Sequence, residues 1–199
     1  MENLPLIKKL NEIIGNDDLE GNCIYKHKSN FELRKGNNIE KLRSNLIKLG
    51  EINNSIIEVG FNGGHSCALM ASNNPDAEFL LFDIGRYDYT QRCINYFIAN
   101  YKATYTKGDS NKTLLKYSAT KVYDLIHIDG GHGQKTAEND IRNCKKFADE
   151  ETLLLVDDAN FKRLRDLLDE MVEDEFLNEI EMESLDLETT IFHRLFTYC

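Results

Sequence analysis

The sequence predicts an α/β protein: a doubly wound, mainly parallel sheet of seven strands that ends in a C-terminal antiparallel hairpin. Three observations predict it. From Ser55 onward, short apolar runs alternate with helical patterns, the order that lays parallel strands beneath covering helices. The first run, Ser55 to Val59, leads directly into a glycine turn, Gly60-Phe61-Asn62-Gly63-Gly64. Each later parallel strand ends in an acid or a glycine, at the edge where open α/β sheets gather their ligands.

The elements follow in order. Leu4, Ile7, Leu10, Ile13 and Ile14 recur at helical spacing and predict a first helix ending near Gly15. Residues 22–38 are polar and irregular, with Tyr25, Phe31 and Leu33 as anchors. Lys26-His27-Lys28 and Arg34-Lys35 make this the most basic part of the chain. Ile39, Leu42, Leu46 and Leu49 predict a second helix stopped by Gly50. Residues 1–54 are thus expected to form a helical extension or lid on a domain spanning 55–199.

Ser55 to Val59 is β-branched and apolar, suited to a strand buried on both faces. A helix over His65 to Ser72 follows the glycine turn, and then comes the strand Glu78 to Phe82, closed by Asp83. Tyr89 to Tyr101 carries Cys93, Ile94, Phe97 and Tyr101 on one side of a helix. Ala103 to Thr106 is a weak strand before Lys107-Gly108-Asp109-Ser110, and Leu114, Leu115 and Tyr117 mark a short helix. Val122 to Ile128 is a strand ending in Asp129-Gly130-Gly131-His132. Ala137, Ile141, Cys144 and Phe147 give the next helix its apolar stripe. Thr152 to Val156 is a strand ending in Asp157-Asp158. Phe161 to Val172 is an amphipathic helix. Glu179 to Leu185 and Thr190 to Tyr198 are the expected hairpin.

Composition narrows the function classes. With 199 residues, 41% of them hydrophobic, the chain can bury a full core. Five scattered cysteines without paired spacing disfavour both a zinc cluster and a disulfide framework. The net charge of −10 repels polyanions, so long nucleic acid is not an expected partner. No apolar run reaches membrane length, and the N-terminus lacks the layout of a signal peptide. A soluble cytoplasmic protein is expected, its oligomeric state open.

The glycines release the backbone for a sharp turn and a close approach to a ligand. An acid about 20 residues beyond such a turn, at the end of the next strand, is placed to accept from ribose hydroxyls, and Asp83 stands there. In order along the chain come Glu58-Val-Gly60-Phe61-Asn62-Gly63-Gly64, Phe82-Asp83, Gly108-Asp109-Ser110, Ile128-Asp129-Gly130-Gly131-His132 and Val156-Asp157-Asp158. With this series the sequence resembles the class I S-adenosylmethionine-dependent methyltransferases, whose sheet is Rossmann-like. The likeness is greatest to a small family related to sugar and macrolide O-methyltransferases.

The resemblance implies a role for each motif. Glu58 and Gly60 to Gly64, with Phe61 and Asn62 between them, would lie under the methionine portion of S-adenosylmethionine. Asp83 with Ile84 would meet the ribose, Gly108, Asp109 and Ser110 would face the adenine, and Asp129 would border the cofactor. Structural alternatives stand beside these: a turn cap for Asp83 and an Asx turn for Asp109.

Asp129, Asp157 and Asp158 form a second set. Three carboxylates at adjacent strand tips repel one another unless protons or a cation neutralise them. An oxygen-only set suits Mg²⁺, or Mn²⁺, which would acidify a substrate hydroxyl. Catechol-type methyltransferases hold such an ion with two aspartates and an asparagine, and here Asp158 stands where that asparagine would fall. Asp129 and His132 are the candidate catalytic groups, His132 as a base or extra ligand, with a loop cap as its alternative. The alternatives for this set are one protonated acid, or Asp158 capping the helix that follows. His65 is expected to cap a helix or line the cofactor pocket, and His127 to be packed in its strand.

The expected function is methylation of a small-molecule hydroxyl, sugars included. An NAD-binding oxidoreductase and a non-catalytic nucleoside-binding module are the competing readings.

Overall fold

The computed structural model describes residues 4–27, 31–131, 133–187 and 192–199. Lys28, His132 and the start of the expected last strand, Thr190 and Ile191, lie outside the described residues.

β1 (Ser55–Val59) stands at the centre of the sheet because every residue after Ser55 in it is buried. It pairs in parallel with β2 (Glu78–Asp83) on one side and β4 (Leu125–Ile128) on the other. β3 (Ala103–Lys107) extends the sheet beyond β2, and β5 (Leu153–Val156) extends it beyond β4. β7 (Arg194–Tyr198) then adds antiparallel to β5, and β6 (Leu177–Glu179) antiparallel to β7. The seven-stranded order is β3-β2-β1-β4-β5-β7-β6, the Rossmann-like arrangement with its C-terminal hairpin.

Two apolar cores result, one on each face. α5 (Ser110–Lys116), α6 (Gln134–Cys144) and α7 (Lys162–Glu173) cover one with Leu114, Ile141, Cys144 and Leu168, joined by Phe147 from the single turn after α6. α1 (Pro5–Ile14), α2 (Asn37–Ile52), α3 (His65–Met70) and α4 (Asp88–Asn100) cover the other. Leu6, Ile7, Leu10 and Ile14 of α1 share that core with Ile56, Phe79 and Phe97, so the N-terminal helices and the sheet bury one continuous apolar surface. None of the helices described is long and apolar enough to cross a membrane. All five cysteines are free, four of them buried.

Three expectations need correcting. Gly50 does not stop the second helix, which runs on to Ile52. It is buried where α2 crosses α3, and a Cβ there would lie 2.0 Å from the Met70 carbonyl oxygen, so close helix packing is what requires glycine. The fourth strand begins at Leu125 rather than Val122; Val122 is exposed. The hairpin strands are shorter and further apart than the apolar pattern suggested. Past Ile180, which still pairs with Leu195, the chain leaves the sheet for α2. There Asn45 bonds the Asp186 backbone in both directions, at 3.0 and 2.9 Å, and Lys48 holds the Ser184 carbonyl.

Candidate active site

A cavity of about 740 Å³ opens at the carboxyl ends of the parallel strands, within the usual range for small-molecule and cofactor sites. Gly60, Asn62, Asp83, Ile84, Gly108, Asp109, Ser110, Asp129, Asp157 and Asp158 all line it. Residues so far apart in sequence meet there because parallel strands bring all their C-terminal loops to one edge.

The glycine turn is shaped by close approaches. Gly60 has φ +104°, and a Cβ on it would sit 2.0 Å from the Asp129 carbonyl oxygen, so the β1 loop lies directly against the β4 loop. Gly64 has φ +78° and makes room for the Phe61 ring, which points into the core against Phe97. Phe61 and Gly63 border only a narrow recess of about 20 Å³, with His65 and Ser66 beside it. Glu58 is fully buried beneath the turn and accepts from the Ser66 hydroxyl and the Cys67 thiol.

Asp83 fastens this turn. One carboxylate oxygen accepts from the Asn62 N–H at 2.8 Å and the other from the Gly85 N–H at 2.6 Å. A turn-capping role is therefore real, and each oxygen keeps a second lone pair for a ligand hydroxyl. Asn62, at φ +50°, donates from its side chain to the Gly21 carbonyl and accepts from the Tyr89 hydroxyl. Asp109 is the N-cap of α5, accepting from the Asn111 backbone and side chain, which hold its carboxyl below the usual range. Ile84 leaves 61% of its surface open at the cavity, an apolar face free to meet a planar ring.

The β4–β5 side differs. Asp129 keeps part of its surface open to the cavity while the rest is packed within the protein. Burial first, then the charges of Asp157, Asp158, Glu58 and Asp83, push its carboxyl well above the ordinary carboxylate range. Asp157 accepts from the Asp158 N–H at 2.7 Å. Asp158 has φ +58° and does not cap the next helix, which begins at Lys162 after Phe161. His65 caps nothing either: Gly64 is the N-cap, and the buried His65 ring meets Asn11 at 3.1 Å and the Tyr25 ring edge-on. Burial lowers its pKa to about 4, so it is neutral.

Several residues escaped the sequence reading. Arg43, which no motif singled out, is 5% exposed. Its guanidinium donates to the carbonyls of Cys23, Ile24 and Arg34, pinning the irregular segment that forms the cavity's N-terminal wall. Its position, four residues after Ile39 and three before Leu46, lies on the apolar stripe and was the available signal. Asp140 of α6 is fully buried behind Gly130, and burial pushes its carboxyl up to about 6. His193 had no motif to mark it. It precedes β7 and reaches to 3.6 Å from Asp157.

The family model described as "Methyltransferase domain" matches residues 57–159. No protein among the curated ones matches in sequence. Similar solved structures include a protein of Klebsiella pneumoniae provisionally described as an O-methyltransferase (16% identity, TM-score 0.67, covering 98% of this chain and 90% of that one). Another is the O-methyltransferase TomG of Streptomyces achromogenes, involved in tomaymycin synthesis and solved with S-adenosylmethionine (15%, 0.62, 96% and 87%). A third is the N-methyltransferase NodS of Bradyrhizobium japonicum, solved with S-adenosylhomocysteine (14%, 0.58, 97% and 98%). The matched segment runs from β1 to the loop after β5 and holds the glycine turn, Asp83, Asp109, Asp129 and the Asp157-Asp158 pair. With this sheet order and these strand-end residues, the chain belongs to the class I S-adenosylmethionine-dependent methyltransferases.

Proposed function

We propose that this protein transfers a methyl group from S-adenosylmethionine to a hydroxyl of a small molecule, sugars included. The observation that carries the reading is the contrast within one cavity. One side has Asp83 and Asp109, acids at successive strand ends that are already bonded within the protein, and the other has an acid held well above its usual range. Family membership rules against the NAD reading. O-methyltransferases among the similar structures favour an oxygen acceptor, while NodS is a reminder that the same sheet also serves nitrogen.

Bound S-adenosylmethionine supplies an electrophilic methyl group on a positively charged sulfur. Asp83 and Asn62 order a turn that would hold the ribose, Gly60 leaves the backbone open to a ligand, and Ile84 with the Gly108–Ser110 loop would hold the adenine. Asp129, Asp157 and Asp158 would hold a divalent ion, Mg²⁺ or Mn²⁺. Their mutual repulsion and the raised Asp129 carboxyl fit a set that a cation or a proton must neutralise. Such an ion would lower the pKa of an acceptor hydroxyl. Asp129 itself, with a raised carboxyl, is suited to take the hydroxyl proton, and His132, three positions further along the sequence, is the other candidate. The N-terminal residues Glu20 to Cys23 and Arg34 line the same cavity and are read as the cover over the acceptor.

The test supplies labelled S-adenosylmethionine with sugar and catechol hydroxyls, in excess chelator and with Mg²⁺ restored. Chelator is expected to abolish transfer while S-adenosylhomocysteine affinity stays intact, and Asp157→Ala is expected to imitate it. Full activity in chelator overturns the metal assignment and leaves Asp129 and His132 as the proton acceptors. Binding of NAD but not of S-adenosylhomocysteine overturns the cofactor assignment.

A further inference from the structure

Among the described residues, His127, Asp157 and His193 bring one ligand atom each to within 4.8 Å of one another. Strand alternation produces this. His127 lies two residues after Leu125, Asp157 two after Leu155, and His193 two before Leu195, so all three share the face on which those leucines join the core beneath the N-terminal helices. The antiparallel register, with Val156 opposite Arg194, carries His193 to Asp157, Nε2 to Oδ1 at 3.6 Å. The two imidazole rings meet edge to face at 6.2 Å.

A second observation is independent of that proximity. His127 is 0% and His193 2% exposed, yet neither ring nitrogen of either residue makes a hydrogen bond among the described residues. Buried polar groups have partners as a rule. A metal ion is the one partner that takes lone pairs from two imidazoles and a carboxylate together.

We propose that His127, His193 and Asp157 form a binding site for a borderline divalent transition ion of the Zn²⁺ class. Imidazole ligands select such ions, whereas all-oxygen sets suit Mg²⁺. Glu58 stands behind His127: its Oε1 lies 3.4 Å from His127 Nδ1, close enough to accept that nitrogen's proton in a hydrogen bond when the ring's other nitrogen binds an ion. Ser66 and Cys67 hold Glu58 in turn. Asp157 lines the large cavity, so the ion has a route in from there, and three protein ligands leave a coordination position open. An ion here competes with Asp129 and Asp158 for Asp157. The proposal does not rest on the methyl-acceptor reading, because its readout is binding.

The experiment titrates Zn²⁺ calorimetrically into the full-length, chelator-stripped protein and records the visible and proton spectra of its Co²⁺ form. One ion per chain is expected, with ring-proton signals of two histidines shifted by Co²⁺. His127→Gln and His193→Gln should each weaken Zn²⁺ binding by roughly a hundredfold or more. Retained S-adenosylhomocysteine binding will show that these variants fold. Asp158→Asn should leave Zn²⁺ affinity nearly unchanged. Absence of stoichiometric Zn²⁺ binding overturns the proposal. So does binding that survives His193→Gln but is lost in Asp158→Asn. Should the histidine variants not fold, the Co²⁺ spectrum of the unaltered protein decides, and a spectrum without shifted histidine signals overturns it.

Discussion

The two sides of the cavity floor obey different rules. On the β1–β2–β3 side the motif residues are bonded within the protein, while Thr90 Oγ1 on the same side makes no hydrogen bond among the described residues. Asp83 holds two backbone N–H groups, Asn62 bridges Gly21 and Tyr89, and Asp109 caps its helix. On the β4–β5–β7 side the Asp129 carboxyl is pushed up by burial and then by neighbouring charges, Asp140 is buried with its carboxyl raised, and the His127 and His193 rings make no hydrogen bond among the described residues. A side with its bonds already made is preorganised and loses little on receiving a ligand of constant shape. A side with charges and lone pairs in reserve is built for a partner that brings a proton, a metal or a reacting group. Under the proposed function the first side would receive the cofactor and the second the reacting groups.

The comparison breaks most severely at the seam between the sides. Gly60→Ala would drive a Cβ against the Asp129 carbonyl, at a φ that side chains rarely adopt. The expected loss is more than about 4 kcal/mol in urea unfolding, together with cofactor binding. A mild effect would mean that the two loops can separate, and the floor would no longer be one rigid surface.

Asp140 sharpens the contrast through pH. Its carboxyl is pushed up to about 6 from 3.8. Between those values the folded protein keeps a proton that the unfolded chain has released, so stability falls as pH rises through that window. The penalty is complete above about 6, and Asp140→Asn should relieve it by of the order of 3 kcal/mol at pH 8. The gain should vanish below about pH 4. Thermal melts of both proteins across that range check this, and a pH-independent difference would show that Asp140 is satisfied after all.

Asp83→Ala should cost about 2 kcal/mol even without ligand, since two backbone N–H groups lose a charged acceptor. It should also remove the thermal stabilisation given by S-adenosylhomocysteine. A cofactor-free protein of unchanged stability would separate binding from loop fastening and weaken the idea of a preorganised side. The smallest effect is expected at Asn62→Ala, about 1 kcal/mol from two neutral hydrogen bonds. Its signature would be faster proteolysis near Gly21, where the N-terminal wall is clipped to the turn.

The sequence by itself determined the sheet and its loaded edge. Apolar runs of strand length, glycines at the turn and acids at strand ends are local signals, because alternation and φ requirements act within a few residues. Gly60, Asp83, Asp109, Asp129, Asp157 and Asp158 were therefore legible, and all six line the cavity. Tertiary structure alone decided the rest. Gly50 looked like a helix stop because a glycine needed for a helix crossing and one that ends a helix are the same letter. Arg43 went unmarked because its three carbonyl partners come from a loop with no periodic pattern. His193 joined His127 and Asp157 only when β7 inserted between β5 and β6, a pairing between strands nearly forty residues apart that no local pattern encodes.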